Sequence, residues 1–387
     1  MRILADQNIP ALEACFGHFG ELRVVEGRTI AADDLRATDV LLVRSVTRVD
    51  EALLRGSPVQ FVGTATAGLD HVDVPWLTKA GIEFAAAPGA NANSVVEYVL
   101  AAMAAQAGVL ERLLAGGRVG IVGYGHVGRL LRERLGALGI ASLQYDPWLA
   151  EQLLPEPAQL ADILACDVVS LHTSLTHTPP WPSHHLLGAR ELFALQGTTL
   201  LINASRGPVI DGAALLARLS AADAPRCVLD VWEFEPSVTP ALLERVVLGT
   251  PHIAGYSVDA KVTATRQLAQ ALQQSLRQAP EQGPQIDAES AQQPGRLQPS
   301  QLPSALRVGE LRDTALLRYL CTARYDIHAD DRRLREAVLG AEEDDARRAF
   351  DRLRKNYPLR RELAGSPVET ECEAQIKWVR ALGAIAV

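Results

Sequence analysis

No two of the five cysteines (Cys15, Cys166, Cys227, Cys321, Cys372) have CxxC spacing, and an odd number scattered over 387 residues makes no disulfide framework. Buried or incidental thiols in a reducing compartment are the expected reading, ahead of bridges or metal ligation. HExxH is absent as well. His71, His172, His177, His184 and His185 fall into no ligand grouping, so no metal site is expected. The N-terminus MRILADQNIP lacks the apolar core of a signal peptide. The stretch nearest to a membrane span, Val95 to Leu110, is short and carries Glu97 and Gln106; it reads as a helix buried between domains. Excess positive charge is missing too. A net charge of −8 argues against general affinity for nucleic acid or an anionic membrane, yet leaves room for a local basic pocket. There is no internal repeat. A cytoplasmic protein is the default expectation.

What is present points to layered α/β structure. The length exceeds one ordinary core, and 48% hydrophobic with 22% charged residues describes a globular chain. Short apolar runs (Arg2–Ala5, Val40–Arg44, Gln60–Gly63, Val119–Val122, Val168–His172, Thr199–Asn203, Cys227–Val231) alternate with helical spacing. That alternation implies parallel sheets covered by helices. The expected fold is two doubly wound, Rossmann-like domains plus a smaller C-terminal α+β domain. Residues 1–95, joined by a returning helix at about 257–280, form the first domain. Residues 96–256 form the second and 281–387 the third. Asn93 and Ser94 are candidate caps of the long helix that joins the first two. Between about 279 and 305 the composition turns to Pro, Gln and Gly, as in a linker or extended arm. The tail beyond it is dense in Arg, Asp and Glu at amphipathic spacing.

The most informative segment is VGIVGYGHVGRLLRERLGALGIASLQYD at 119–146. It reads as strand, glycine turn, helix, strand, acid. Gly123 allows a sharp turn, Gly125 lets backbone approach a pyrophosphate, and Gly128 lets the helix pack on its strand. With His126 and Val127, these residues make the candidate phosphate cradle at a helix N-terminus. Asp146, 18 residues beyond Gly128, stands where a carboxylate would accept from a ribose diol and repel a 2′-phosphate. NAD is the expected cofactor.

Three segments then follow predicted strands of that domain: NASRG at 203–207, DVWEFEP at 230–236 and PHIAG at 251–255. Ligands gather at such carboxyl ends. Oxidising a secondary alcohol needs a base for its proton, and His252 suits neutral pH. A carboxylate, Glu235, would orient the imidazole, and Arg206 would grip a substrate carboxylate through two parallel bonds. Taken singly each has a plainer reading: Arg206 an ion pair, Glu235 a turn acid, His252 a satisfied interior histidine. Their placement after three successive strands favours the joint one.

In that order, GYGHVG, NASRG, DVWEFEP and PHIAGYS resemble the NAD-dependent D-2-hydroxyacid dehydrogenase family over most of residues 1–280. The resemblance implies that Arg206 binds the substrate carboxylate and oxoanion, His252 is the acid/base and Glu235 assists it. LLVRSVTRVD at 41–50, GTATAGLDHVD at 63–73, PGANANSVVEYVL at 88–100 and FDRLRKNYPLRRE at 350–362 are similar to one branch of the family, whose substrate is a phosphorylated sugar acid. That similarity implies substrate contacts from Ser45, Thr66 and Tyr256, and cofactor contacts from Asp146, Thr173, Asp230 and Gly255. It also implies a homodimer formed through residues from about 282 onward. HTPPWPSHH at 177–185 departs from the pattern as a proline-rich loop, in which His184 and His185 are expected to be exposed.

The residues themselves say less about the substrate. Arg44, Ser45, Thr47 and Arg48 cluster as groups around a phosphate would, or as a polar strand end in solvent. GTATAG could present N–H groups to a carboxylate, or be a tight turn. His172 is expected to pack or orient near the cofactor, not to transfer protons. The alternatives are a phosphoglycerate dehydrogenase, a glyoxylate or hydroxypyruvate reductase, and a non-catalytic NAD sensor. Against the last stands the joint retention of Arg206, Glu235 and His252.

Overall fold

The computed structural model describes residues 1–278 and 304–387, which divide into two compact units. The first holds Met1–Asn91 with the residues described between Ser257 and Gln278. Its sheet is β1 (Arg2–Asp6), β2 (Glu21–Val25), β3 (Val40–Val43), β4 (Phe61–Thr64) and β5 (Glu83–Ala85), all parallel, in the order β2-β1-β3-β4-β5. β3 and β4 are buried at every position, which is why they read as unbroken apolar runs. The helix Val258–Gln278 belongs to this unit, where Leu268, Ala269 and Leu272 join Ile3, Val40, Leu42 and Phe61 in one core. Strand order reverses between β1 and β3, so the carboxyl end of β3, followed at once by Arg44 and Ser45, borders a switch-point crevice.

The second unit holds Ala92–Tyr256 with the described tail. Its main sheet is β6 (Arg118–Val122), β7 (Ala141–Tyr145), β8 (Val168–Leu171), β9 (Leu200–Asn203), β10 (Arg226–Leu229) and β11 (Leu248–Gly249). It too is wholly parallel, in the order β11-β10-β9-β8-β6-β7. The order reverses at β6, beside which the helix His126–Ala137 begins. In the tail, β12 (Leu306–Arg307), β13 (Pro367–Glu369) and β14 (Ile385–Ala386) form a small parallel sheet with helices Asp313–Thr322, Ile327–Val338, Glu343–Lys355 and Glu373–Ala381.

Two expectations are corrected here. The apolar stretch Val95 to Leu110 is not one helix but two, Ala92–Ala105 and Val109–Leu114. The first is apolar around most of its circumference because it is enclosed within the second unit. Val96, Val99, Leu100 and Met103 share a core with Leu316, Leu317 and Leu320 of the tail and with Val119 and Ile121 of β6. Asn93 and Ser94 do not cap that helix, since both lie inside its first turn. Asn93 Nδ2 donates to Glu97 and Glu362, and Ser94 Oγ donates to the Ala254 carbonyl.

Among the described residues no helix is long and apolar enough to cross a membrane. Cys15, Cys166, Cys227 and Cys321 are buried and all five cysteines are unbridged. The proline- and glutamine-rich segment lies outside the described residues except at its last positions.

Candidate active site

Gly123 follows β6 with φ +91°, and a Cβ there would lie 2.7 Å from the His172 carbonyl just past the end of the neighbouring β8. Only glycine lets those two strand ends close together. A Cβ on Gly128 would collide with the Gly123 carbonyl, so the helix sits on its strand as glycine alone permits. Gly125 has nothing within 4 Å of a would-be Cβ. That open space faces a cavity of about 450 Å³ lined by Gly123, Gly125, Asp146, His172 and Thr173 among others.

Asp146 accepts from the Tyr124 and Trp148 backbone N–H groups at 2.9 and 3.1 Å, one on each oxygen, and keeps lone pairs for further donors. Thr173 Oγ1 and His172 Nδ1 are enclosed yet without a hydrogen-bond partner among the described residues. Burial pushes the His172 imidazole down to about 3, so it is neutral, and its Nε2 meets Ser170 Oγ at 2.9 Å. A glycine cradle, a carboxylate and unclaimed polar atoms in one cavity fit a dinucleotide. The proline-rich loop forms another wall of the cavity. It is pinned back by Ser183, whose Oγ donates to the Ser174 carbonyl at 2.6 Å, and the Trp181 carbonyl accepts from Trp148 Nε1 at 3.0 Å. His184 and His185 are half-buried, not exposed. His185 Nε2 lies 2.6 Å from Glu233 Oε1, a pairing invisible in a sequence where the two are 48 residues apart.

Past β10 and β11 the chemistry gathers. His252 Nδ1 lies 2.7 Å from Glu235 Oε2, and Glu235 Oε1 accepts from the Trp232 N–H at 2.8 Å. Burial works to raise the Glu235 carboxyl, but facing His252, its hydrogen bonds and Arg354 outweigh that and hold it below the usual range. An ionised carboxylate only accepts, so the proton sits on Nδ1 and Nε2 is left for substrate. His252 has φ +56°, a region non-glycine residues seldom occupy. Buried Asp230 holds the loop there, accepting from Thr250 Oγ1 (2.7 Å), Ile253 N (2.8 Å) and Ala254 N (2.9 Å). Asp230 is therefore seated as the anchor of the His252 loop.

Arg206 follows β9, half-buried, with Nη1 donating to the Ser205 carbonyl at 2.8 Å. Next to it, a Cβ on Gly207 would collide with the Trp232 carbonyl, so this glycine sets how closely the Arg206 and Glu235 segments approach. Gly255 and Tyr256 extend the His252 loop. Here the tail contributes residues that sequence reading missed. Arg354 Nη2 donates to the Tyr256 hydroxyl at 3.1 Å, and the Tyr357 ring meets the Tyr256 ring edge-on at 5.9 Å. Arg360, buried, donates to the Ala254 and Ser94 carbonyls at 3.1 and 2.8 Å. The run RKNYPLRR thus braces the loop from behind. Periodicity could not show this, because these contacts span about a hundred residues or more.

In the first unit, Ser45 is exposed just past β3 and Thr66 lies just past β4. The four-residue cluster at 44–48 divides. Thr47 is buried and donates to the Gly27 carbonyl at 2.8 Å, and Arg48 pairs with Asp50 at 2.9 Å on the surface. Arg44 instead acts electrostatically on Lys261 of the returning helix. Burial, with Arg44 adding to it, pushes that ammonium down to about 8. The GTATAG loop is tied by hydroxyls: Thr64 Oγ1 meets Thr66 Oγ1 at 2.8 Å and His71 Nε2 at 2.9 Å, and Thr66 Oγ1 donates to the Gly68 carbonyl at 2.9 Å. Among the described residues no cluster of three or more His, Cys, Asp or Glu side chains is arranged to hold a metal ion.

Comparison with known proteins places these features in a family. Residues 93–254 match the model of the D-isomer specific 2-hydroxyacid dehydrogenase NAD-binding domain, and residues 297–383 match a domain of unknown function. Erythronate-4-phosphate dehydrogenase of Cellvibrio japonicus is 46% identical over 99% of this chain and 99% of its own length. The enzyme of that name from Pseudomonas syringae pv. syringae is 44% identical over the whole of both chains. The fold is shared with the NAD+-bound 3-phosphoglycerate dehydrogenase of Entamoeba histolytica, with TM-score 0.61 at 21% identity. That match covers 72% of this chain and 96% of the other, so part of this chain lies outside it.

Proposed function

The chain belongs to the erythronate-4-phosphate dehydrogenases of the D-isomer specific 2-hydroxyacid dehydrogenase family, and from that premise we propose a reaction and a division of roles among its residues. The protein oxidises 4-phospho-D-erythronate at C2 to 2-oxo-3-hydroxy-4-phosphobutanoate, a step of pyridoxal phosphate biosynthesis. NAD, when bound, takes up the C2 hydrogen with its electron pair.

Gly123, Gly125, His126, Val127 and Gly128 cradle the pyrophosphate, and Asp146 accepts from the adenosine ribose and disfavours a 2′-phosphate. Thr173, Asp230 and Gly255 complete the cofactor contacts. His252 Nε2 takes the proton from the C2 hydroxyl, and Glu235 stabilises the imidazolium that results. Arg206 grips the C1 carboxylate and the C2 oxygen, stabilising the negative charge that develops on that oxygen as its proton leaves. Ser45, Thr66 and Tyr256 bind substrate, with Arg44 and Lys261 as the cations suited to its phosphate. In this division residues 1–95 with about 257–280 bind substrate, 96–256 bind NAD and 281–387 mediate a homodimer in the cytoplasm.

The observation that carries the reading is the 2.7 Å contact of His252 with Glu235 in the same unit as the glycine-lined cavity. Its test is oxidation of 4-phosphoerythronate by the purified protein with NAD, with and without an added 2-oxo acid. 3-Phosphoglycerate and glycerate are run alongside. Turnover of 4-phosphoerythronate at least tenfold above the others is expected. A preference for either rival acid, or none at all, overturns the assignment.

A further inference from the structure

The tail's arginines do different work. Arg360 has a structural task, bridging two carbonyls with its guanidinium 3.9 Å over the Tyr325 ring. Arg354, near the end of the helix Glu343–Lys355, touches the loop that carries His252. Its Nη2 reaches the Tyr256 hydroxyl, its guanidinium carbon lies 5.7 Å from that ring's centre, and its Nε is enclosed without a hydrogen-bond partner among the described residues. Burial disfavours the charge, yet Tyr256, Glu235 and Asp230 outweigh it and keep the guanidinium firmly protonated. A guanidinium has no acceptor. The direction of the Arg354–Tyr256 bond is therefore fixed: the phenolic oxygen accepts, and its own proton takes no part in that bond.

We propose that Arg354 is a positioning residue for substrate. By donating to the Tyr256 oxygen it commits the phenolic O–H to act as a donor toward an anionic oxygen of the hydroxy acid. The inference rests on Tyr256 being a substrate contact, and it makes the tail part of the binding site within one chain. A hydroxyl that accepts from a cation is a stronger donor, because the first bond polarises the second. The effect falls chiefly on substrate affinity, and the Arg354 charge acting on Glu235 adds only a smaller change in kcat.

The test is a double-mutant cycle of R354Q and Y256F, with R354K as the conservative variant, run on the acid the wild type turns over best. R354Q should raise KM for the acid about tenfold, leave kcat within about threefold and leave NADH affinity unchanged. R354K should recover most of that loss. In the Y256F background R354Q should add less than about twofold, since its route to substrate is already gone. Equal losses in both backgrounds, or a loss in kcat alone, overturn the proposal. If R354Q fails to fold, R354K takes its place: a residual rise in KM of about twofold is expected where Tyr256 is present and none in the Y256F background, and equal KM changes in both backgrounds overturn the proposal. A wild type that oxidises no hydroxy acid refutes the proposed reaction and this inference together. A wild type that is active with an uncoupled cycle refutes this inference alone.

Discussion

His252 Nδ1 and Glu235 Oε2 stand 2.7 Å apart although they leave different strands, Glu235 after β10 and His252 after β11. Glu235 is held below the ordinary carboxylate range by this contact, so it favours the folded state wherever it is ionised. That contribution is complete above the unfolded value of about 4.3 and is lost as pH falls through the lower folded one. The difference in thermal stability between wild type and Glu235→Gln should therefore be constant above about pH 5 and shrink below about pH 4. Thermal melts from pH 3 to 8 give the answer; a difference that widens in acid would show Glu235 to be unpaired.

Arg206→Lys keeps the charge but loses the planar two-point grip on a carboxylate. A fall of about 100-fold in kcat/KM is expected, equivalent to about 2.7 kcal/mol of transition-state stabilisation. NADH binding, followed by fluorescence, should not change. Near wild-type kcat/KM would remove Arg206 from the substrate site.

The sequence was most readable where a local rule forces the outcome. Gly123, Gly125, Gly128 and Asp146 are legible because a turn, an open approach, a close packing and a carboxylate occur in fixed order within one βαβ unit. Fully buried strands such as β3 and β8 read as apolar runs. The half-exposed β2 did not, having no consistent apolar face. Function carried by long-range contact was hidden. Thr47 and Arg48 look like ligand residues in a line of letters, but the fold assigns one to the Gly27 carbonyl and the other to Asp50. Arg354 and Arg360 look like solvated charge, yet they support the loop that carries His252.

Lys261 gives a second pH prediction. Its ammonium is pushed down to about 8 by burial and by Arg44, so it is charged at neutral pH and loses its proton just above. If it faces the substrate phosphate, kcat/KM for the phosphorylated acid should fall as pH rises through about 8, and binding there should take up a proton. Lys261→Met should abolish that alkaline limb and raise KM. Calorimetry in two buffers of different ionisation enthalpy measures the uptake, and a limb that persists in the variant belongs to another group.

Gly125 and Gly128 should respond to the same change in opposite ways. In Gly128→Ala the new methyl meets the Gly123 backbone carbonyl, which cannot rotate away, so the helix must shift off its strand. A cost of about 1–3 kcal/mol follows from such overpacking, visible as a lower melting temperature without any ligand. In Gly125→Ala the methyl meets nothing within 4 Å, and the melting temperature of the ligand-free protein should match wild type. The same methyl takes the room through which backbone approaches a pyrophosphate, so NADH affinity should fall at least about tenfold. Melting curves and NADH titrations on the two variants decide it. Normal NADH binding by Gly125→Ala would mean that the cofactor's phosphates lie elsewhere.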